Sequence, residues 1–167
     1  MARKILDSGN RTEFESGAVR DMREGKGRCD LLPLDVVSKL FNGGNSKPDV
    51  FTYINEFQKE GKTIDLFLAM SHFIKQRGWT IHTMLLELAM HFEEGSKKYG
   101  DNNWRKGIPV RCYIDSALRH YIKWLRSDED EPHDRAFCWN IICAIWTCEN
   151  IPELNDYAKG DVNNEDN

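Results

Sequence analysis

The chain has 167 residues, of which 40% are hydrophobic and 30% charged, enough for one domain with a single buried core. A net charge of −4 argues against nucleic-acid binding by bulk attraction. No apolar run approaches the roughly 20 residues a membrane span needs. The polar start MARKILDSGNRTEFESG has no apolar signal-peptide centre, so a cytoplasmic chain without membrane or nucleic-acid partners is expected.

Residues 1–28 are polar, glycine-bearing and aperiodic, which predicts a mobile or loosely docked arm. Leu31-Leu32-Pro33 then opens a short helix with Val36, Val37, Leu40 and Phe41 on its apolar side. Residues 42–46 read as a loop. A helix over Asp49–Lys59 carries Val50, Tyr53, Ile54 and Phe57 and ends at Gly61. Thr63 can cap the next, with Ile64, Phe67, Leu68, Phe73 and Ile74 inward and Gly78 as its stop.

Thr80–Tyr99 has the clearest period, since Ile81, Met84, Leu85, Leu88 and Phe92 form one helical face. Gly100 terminates it and residues 101–107 form a loop. Pro109 starts a helix to about Arg126, with Ile114, Ala117, Leu118, Tyr121, Ile122 and Leu125 buried. A last helix runs from about Pro132 to Glu149, with Phe137, Ile141, Ile145 and Cys148 in a stripe. The acidic end is expected to fray. No segment alternates as a strand would, so the fold class is all-α, a helical bundle. One domain is expected over 29–152, flanked by the arm at 1–28 and the tail at 153–167.

Cys29, Cys112, Cys138, Cys143 and Cys148 include no CxxC pair, which argues against a thiolate zinc site. They read as small core residues without disulfides. Gly61-Lys62-Thr63 ends like a phosphate-binding P-loop, but Glu56 stands where that motif needs glycine and no strand precedes it.

Chemistry enters with the Thr80–Tyr99 helix. Glu87, His91, Glu94 and Lys98 share one edge beside the apolar face, as a solvated flank or as carboxylates for a hard cation such as Mg²⁺. From Lys97 to Arg126 eight basic residues stand against Asp101 and Asp115 alone. Asp128, Glu129, Asp130, Glu131 and Asp134 follow at once. Two antiparallel helices joined there can set a cationic shelf beside an acidic knot, suited to a polyphosphate and its counter-cation; surface salt bridges explain the layout equally well. Asn140 lies among apolar neighbours and must find a partner, in another helix or in a substrate. Trp104, beside Asn103 in a polar loop, is placed for packing or for stacking on a base.

The run from Phe92 to Gly107 strongly resembles the KYGxxNWxxG signature of the dATP/dGTP diphosphohydrolase domain family, which occurs largely in phages and prophages. Arg28-Cys-Asp-Leu-Leu-Pro33 resembles its RxDLLP segment, and Tyr113 through His120 its DAxxRH helix. Pro132-His133 with Trp139-Asn140 resembles its PHxxHxxxN helix. These motifs cover about residues 26–42 and 84–150, so 43–78 looks like an insertion. Ala136 stands at the closing motif's second histidine, and Lys97 where an ExxE pair would need an acid.

The resemblance implies an all-helical enzyme similar to MazG-like nucleotide pyrophosphohydrolases. It also implies a homo-oligomer, a dimer or larger, that cleaves purine deoxynucleoside triphosphates to monophosphate and pyrophosphate for nucleotide-pool control. Mg²⁺, or Mn²⁺, is expected among Glu94, Asp134 and one or two of Glu87, Asp115 and Glu131. Glu94, Lys98, Arg119 and His133 are the expected catalytic groups. Asp30, Tyr99, Asn103, Trp104, His120, Lys123 and Asn140 are expected to contact the nucleotide. Two alternatives stay open. One is a non-catalytic helical module for nucleotide sensing or protein interaction. The other is a histidine–aspartate phosphohydrolase built on His133-Asp134, whose further histidines cannot be assigned among His72, His82, His91 and His120.

Overall fold

Capping chemistry sets the helix limits in the computed structural model, which describes residues 9–43 and 47–157. The first eight residues of the expected arm, part of the 42–46 loop and the tail beyond 157 lie outside the described residues. Helix α1 (Leu34–Phe41) follows Pro33. Helix α2 (Val50–Glu60) opens on a capping box in which Asp49 accepts from the Thr52 amide and Thr52 accepts from the Asp49 amide. It closes at Gly61, whose φ of 67° is the left-handed conformation glycine adopts freely. Thr63 proves to be the first residue of α3 (Thr63–Arg77) rather than its cap. Thr80 caps α4 (Ile81–Tyr99) by accepting from the Thr83 amide. Pro109 and Pro132 immediately precede α5 (Val110–Leu125) and α6 (His133–Asn150).

Helices α5 and α6 are the central pair, α3 and α4 pack on α6, and α2 packs on α3. Tyr113, Ile114, Leu118 and Tyr121 of α5, with Phe137, Cys138, Ile141 and Cys143 of α6, have no exposed surface. Within the stretch 43–78, α2 and α3 are part of this core. Phe57 and Phe73 are fully buried, and the Phe73 ring centroid lies 4.5 Å from that of Phe137. All five cysteines are free thiols. No helix among the described residues is long and apolar enough to cross a membrane.

Two expectations are corrected. Ile64, Phe67 and Leu68 of α3, and Ile81 and Leu85 of α4, face outward. Leu66, Ala69, Met70 and Phe73, and Met84 and Leu88, face the core instead. Both helices have apolar residues on two sides, and a 3.6-residue period alone does not say which side meets the chain's own core. The second correction concerns the arm. Arg11–Glu13 (β1) and Val19–Asp21 (β2) form an antiparallel hairpin that pairs Thr12 with Arg20. The turn closes through the Gly17 amide on the Phe14 carbonyl, with Gly17 at φ 74°. Ala18 is fully buried, so the hairpin is docked. Strands of three residues are too short to show alternation in a sequence.

Candidate functional site

The hairpin, the second half of α4, the loop after it, and one side of α5 and α6 enclose a cavity of about 950 Å³, within the range of small-molecule sites. Phe92, Trp104 and Trp139 give it an aromatic surface, with Phe92 5.5 Å from Trp104 and 6.0 Å from Trp139 between ring centroids. Arg20, Arg23, Lys26, Lys98, Arg119 and Lys123 supply cations.

The Lys98–Gly107 segment builds one wall. Gly100, at φ 84°, turns the chain out of α4 in a conformation closed to other residues. Asn103, expected at the base, is buried and clamps β2: its side chain accepts from the Val19 amide (2.9 Å) and donates to the Val19 carbonyl (2.7 Å). Its amide therefore acts as a surrogate strand edge. Trp104 lines the cavity but also packs edge-on against Trp146, 5.0 Å between centroids. Gly107 accepts from the Ser16 hydroxyl, and a Cβ there would stand 2.8 Å from Leu154 Cδ1. The signature thus serves largely to join the hairpin to the helices. Lys98 and Tyr99 line the cavity, the Lys98 ammonium 5.2 Å from the Tyr99 ring centroid.

Asp115 holds the opposite framework together. Fully buried, it accepts from Arg23 Nε (3.1 Å), the Cys29 amide (2.7 Å) and Arg119 Nη2. Arg119 also donates to the Lys26 and Gly27 carbonyls at 3.0 and 3.1 Å. Asp30 pairs with Arg28 and Arg23 and does not line the cavity. Burial would raise its pKa, but Arg28 and Arg23 outweigh burial and hold it below the usual carboxylate value.

Arg20 differs from the other five lining cations. Arg23 and Arg119 are paired to Asp115, Lys26 and Lys98 to Asp21, and Lys123 to Asp130. Among the described residues Arg20 has no carboxylate within 4.0 Å. Its guanidinium is held by Asn140 Oδ1 and by the rings of Tyr113 and Trp139, 5.0 and 5.9 Å away. Its Nη1 is buried without a hydrogen-bond partner, as are His91 Nδ1 and Trp139 Nε1, and all three side chains line the cavity. Sequence reasoning missed Arg20 because it placed this stretch in an aperiodic arm. The usable signal was Ser16-Gly17, a turn between two short extended runs. Asn140 itself is satisfied, donating to the Ala136 carbonyl at 2.8 Å.

The edge Glu87–His91–Glu94–Lys98 is no solvated flank. His91 is buried, and burial first, then Arg135 and Arg20, push its pKa down to about 3. Glu94 Oε1 accepts from the buried Arg135 at 2.8 Å. Asp134 accepts from Arg77 Nε at 3.0 Å. Glu87, Glu94, Asp115 and Asp134 all lie outside the cavity wall. The structure therefore does not gather the expected carboxylates around one ion, because arginines take three of them. Glu131 alone of the five lines the cavity, beside His120.

His120 Nδ1 lies 3.0 Å from His133 Nδ1, and His133 Nε2 lies 2.7 Å from Asp130 Oδ1. Burial, then His133, pushes the His120 pKa well below its usual value. Burial would raise the Asp130 pKa, but hydrogen bonds from Lys123 and His133 hold it at about 2. Among the described residues two sets have three ligand atoms within 4.8 Å of one another: His120, Glu131 and His133, and Asp128, Asp130 and His133. The expected catalytic His133 is buried behind His120 and outside the wall.

A family model described as dATP/dGTP diphosphohydrolase, N-terminal, matches residues 58–157, so α3 lies within the matched region. Neither a curated protein nor a solved structure matches the chain.

Proposed function

Since the chain belongs to the dATP/dGTP diphosphohydrolase N-terminal family, we propose that it hydrolyses purine deoxynucleoside triphosphates in this cavity, giving monophosphate and pyrophosphate. One observation carries the reading. A cavity with an aromatic surface holds a half-buried arginine to which the described fold supplies no anion. A partly desolvated cation without a counter-charge is costly, and a phosphate satisfies a guanidinium well.

In this reading Phe92, Trp104 and Trp139 take the purine face, and Arg20, Lys98 and Lys123 take the phosphates. Base–aromatic stacking contributes about 1–3 kcal/mol per base. Arg23 and Arg119 hold the Lys26–Asp30 loop and so shape the wall. A divalent cation, when bound, neutralises phosphate charge and acidifies a water. The oxygen-only set of Glu87, Glu94, Asp115 and Asp134 does not fit one, because arginines hold the last three. Purified protein incubated with each deoxynucleoside triphosphate and Mg²⁺, Mn²⁺ or Co²⁺, with products separated by chromatography, tests the proposal. Monophosphate with pyrophosphate supports it; orthophosphate, or no product, refutes it.

The outward apolar residues of α3 and α4 support a homo-oligomer. Phe67 is 50% exposed and Leu86 72%, on helices that also leave Ile64, Leu68, Leu85 and Met90 open. Such surface on a soluble chain marks a contact. Leu86→Lys should lower the mass read by light scattering; a monomeric parent protein would end this reading.

A further inference from the structure

We propose that His120 Nδ1, Glu131 Oε1 and His133 Nδ1 form a binding site for a transition-metal ion, of the Mn²⁺, Co²⁺ or Zn²⁺ kind rather than Mg²⁺. The two ring nitrogens are 3.0 Å apart, and Glu131 Oε1 is 3.6 Å from one and 3.8 Å from the other. Ligands about 2.1 Å from a shared ion stand about 3.0 Å apart at right angles and about 3.4 Å apart in a tetrahedron. The three atoms therefore need to move only by tenths of an ångström to share one ion. Their side chains are 16%, 13% and 1% exposed, so the ion would be largely shielded from bulk water.

The surroundings fix the ring that matters most. Asp130 Oδ1 lies 2.7 Å from His133 Nε2 and, as a carboxylate, can only accept, so that nitrogen carries the hydrogen. That leaves His133 Nδ1 as the ring nitrogen able to offer a lone pair to an ion. Lys123 holds the other Asp130 oxygen at 2.7 Å. A carboxylate hydrogen-bonded to the far nitrogen of a ligating histidine is the arrangement that orients such ligands. Two imidazoles and one carboxylate suit borderline-soft divalent ions, whereas Mg²⁺ prefers oxygen. The neighbouring set of Asp128, Asp130 and His133 is the weaker choice, since there Asp130 would give up the hydrogen bond that orients His133.

His120 and Glu131 line the cavity, so an ion held here borders the space assigned to the phosphates. Only the ion's role in turnover rests on the proposed hydrolase reading; its binding does not. The test is calorimetric titration of the full chain, free of nucleotide, with Mn²⁺, Co²⁺ and Mg²⁺, alongside the visible absorption of the Co²⁺ form. One equivalent of Mn²⁺ or Co²⁺ should bind more tightly than Mg²⁺. Glu131→Gln and His120→Asn should weaken it. Asp130→Asn, a change at a half-exposed side chain, should weaken it about 10- to 100-fold with an unaltered circular-dichroism spectrum. Absence of saturable Co²⁺ binding, or binding untouched by Glu131→Gln and Asp130→Asn, overturns the site. Metal binding without nucleotide turnover sustains the site and sinks the hydrolase. Mg²⁺-driven turnover that ignores Glu131→Gln sustains the hydrolase and overturns only the ion's role in turnover.

Discussion

Asp115→Asn separates a girder from a metal ligand. The carboxylate has no exposed surface and receives three N–H groups, two of them from guanidinium ions. An asparagine keeps the shape but offers one acceptor oxygen and turns an NH₂ toward an arginine. Removing one member of a buried ion pair costs about 3–5 kcal/mol, because the partner's charge stays desolvated. Arg23 and Arg119 are both partly exposed, at 22% and 15%, and can recover some solvation, so the lower end of that range is expected. For a domain of this size each kcal/mol moves Tm by about 2–4 °C. The variant should therefore melt about 6–12 °C below the parent by circular dichroism, without nucleotide or metal. The Lys26–Asp30 loop, which Arg119 and the Cys29 amide tie down, should become sensitive to protease. An unchanged Tm combined with lost metal binding would refute this reasoning and return Asp115 to the role of ligand.

Arg20→Met should raise the nucleotide concentration for half-saturation about 10- to 100-fold, since a charge-assisted hydrogen bond contributes about 1.5–3 kcal/mol; a change below twofold in steady-state kinetics removes Arg20 from the phosphates. Asn103→Ala deletes both bonds to Val19, about 1–3 kcal/mol together. Amide exchange in β1 and β2 should then speed up about 10- to 100-fold, and unaltered exchange would return Asn103 to base recognition. Acid should weaken the fold. His91, with a pKa of about 3 against a usual 6.5, stays neutral when folded, so below pH 6.5 only the unfolded chain gains its proton. Its contribution is complete above pH 6.5 and falls by up to about 1.4 kcal/mol per pH unit toward pH 3. Asp130, held at about 2 against 3.8, adds a loss in the same direction below pH 3.8. The urea midpoint should be lower at pH 5.0 than at pH 7.5, and His91→Gln should narrow the gap; equal midpoints in the parent protein would contradict a neutral buried His91.

The helices were legible because their ends carry side-chain and glycine signals: Asp49 with Thr52, Gly61, Gly78, Thr80 and Pro109 each stand where a helix begins or ends. Which face turned inward was legible only where a helix had one apolar side. Helices α3 and α4 have two, and choosing between them depends on partners distant in sequence. The hairpin was illegible for a related reason. Its three-residue strands gain their order from Asn103 and Gly107, more than 80 residues away, and no local period encodes such a partnership. Charge was misread at the same level. Glu94 and Asp134 are spaced as ligands would be, but Arg135 and Arg77 reach them first.

Those diverted carboxylates explain why the cavity depends on so few groups. Each acid that neutralises an arginine or lysine fixes a piece of wall: Asp115 the Cys29 turn, Asp30 the Arg28 and Arg23 side chains, Asp21 the lysines beside β2. A guanidinium already paired to a buried carboxylate gains little from a second anion, so rigidity and phosphate affinity compete for the same cations. The fold eases the competition by pairing five of the six lining cations with carboxylates and holding the sixth, Arg20, with a neutral amide and two aromatic faces. A neutral cradle positions the charge without cancelling it. It also links recognition to the hairpin, since Arg20 reaches the cavity only while Asn103 keeps β2 in place. A chain with an undocked hairpin would retain its helical core and lose its unpaired cation, which makes the least regular segment of the protein the one on which phosphate binding turns.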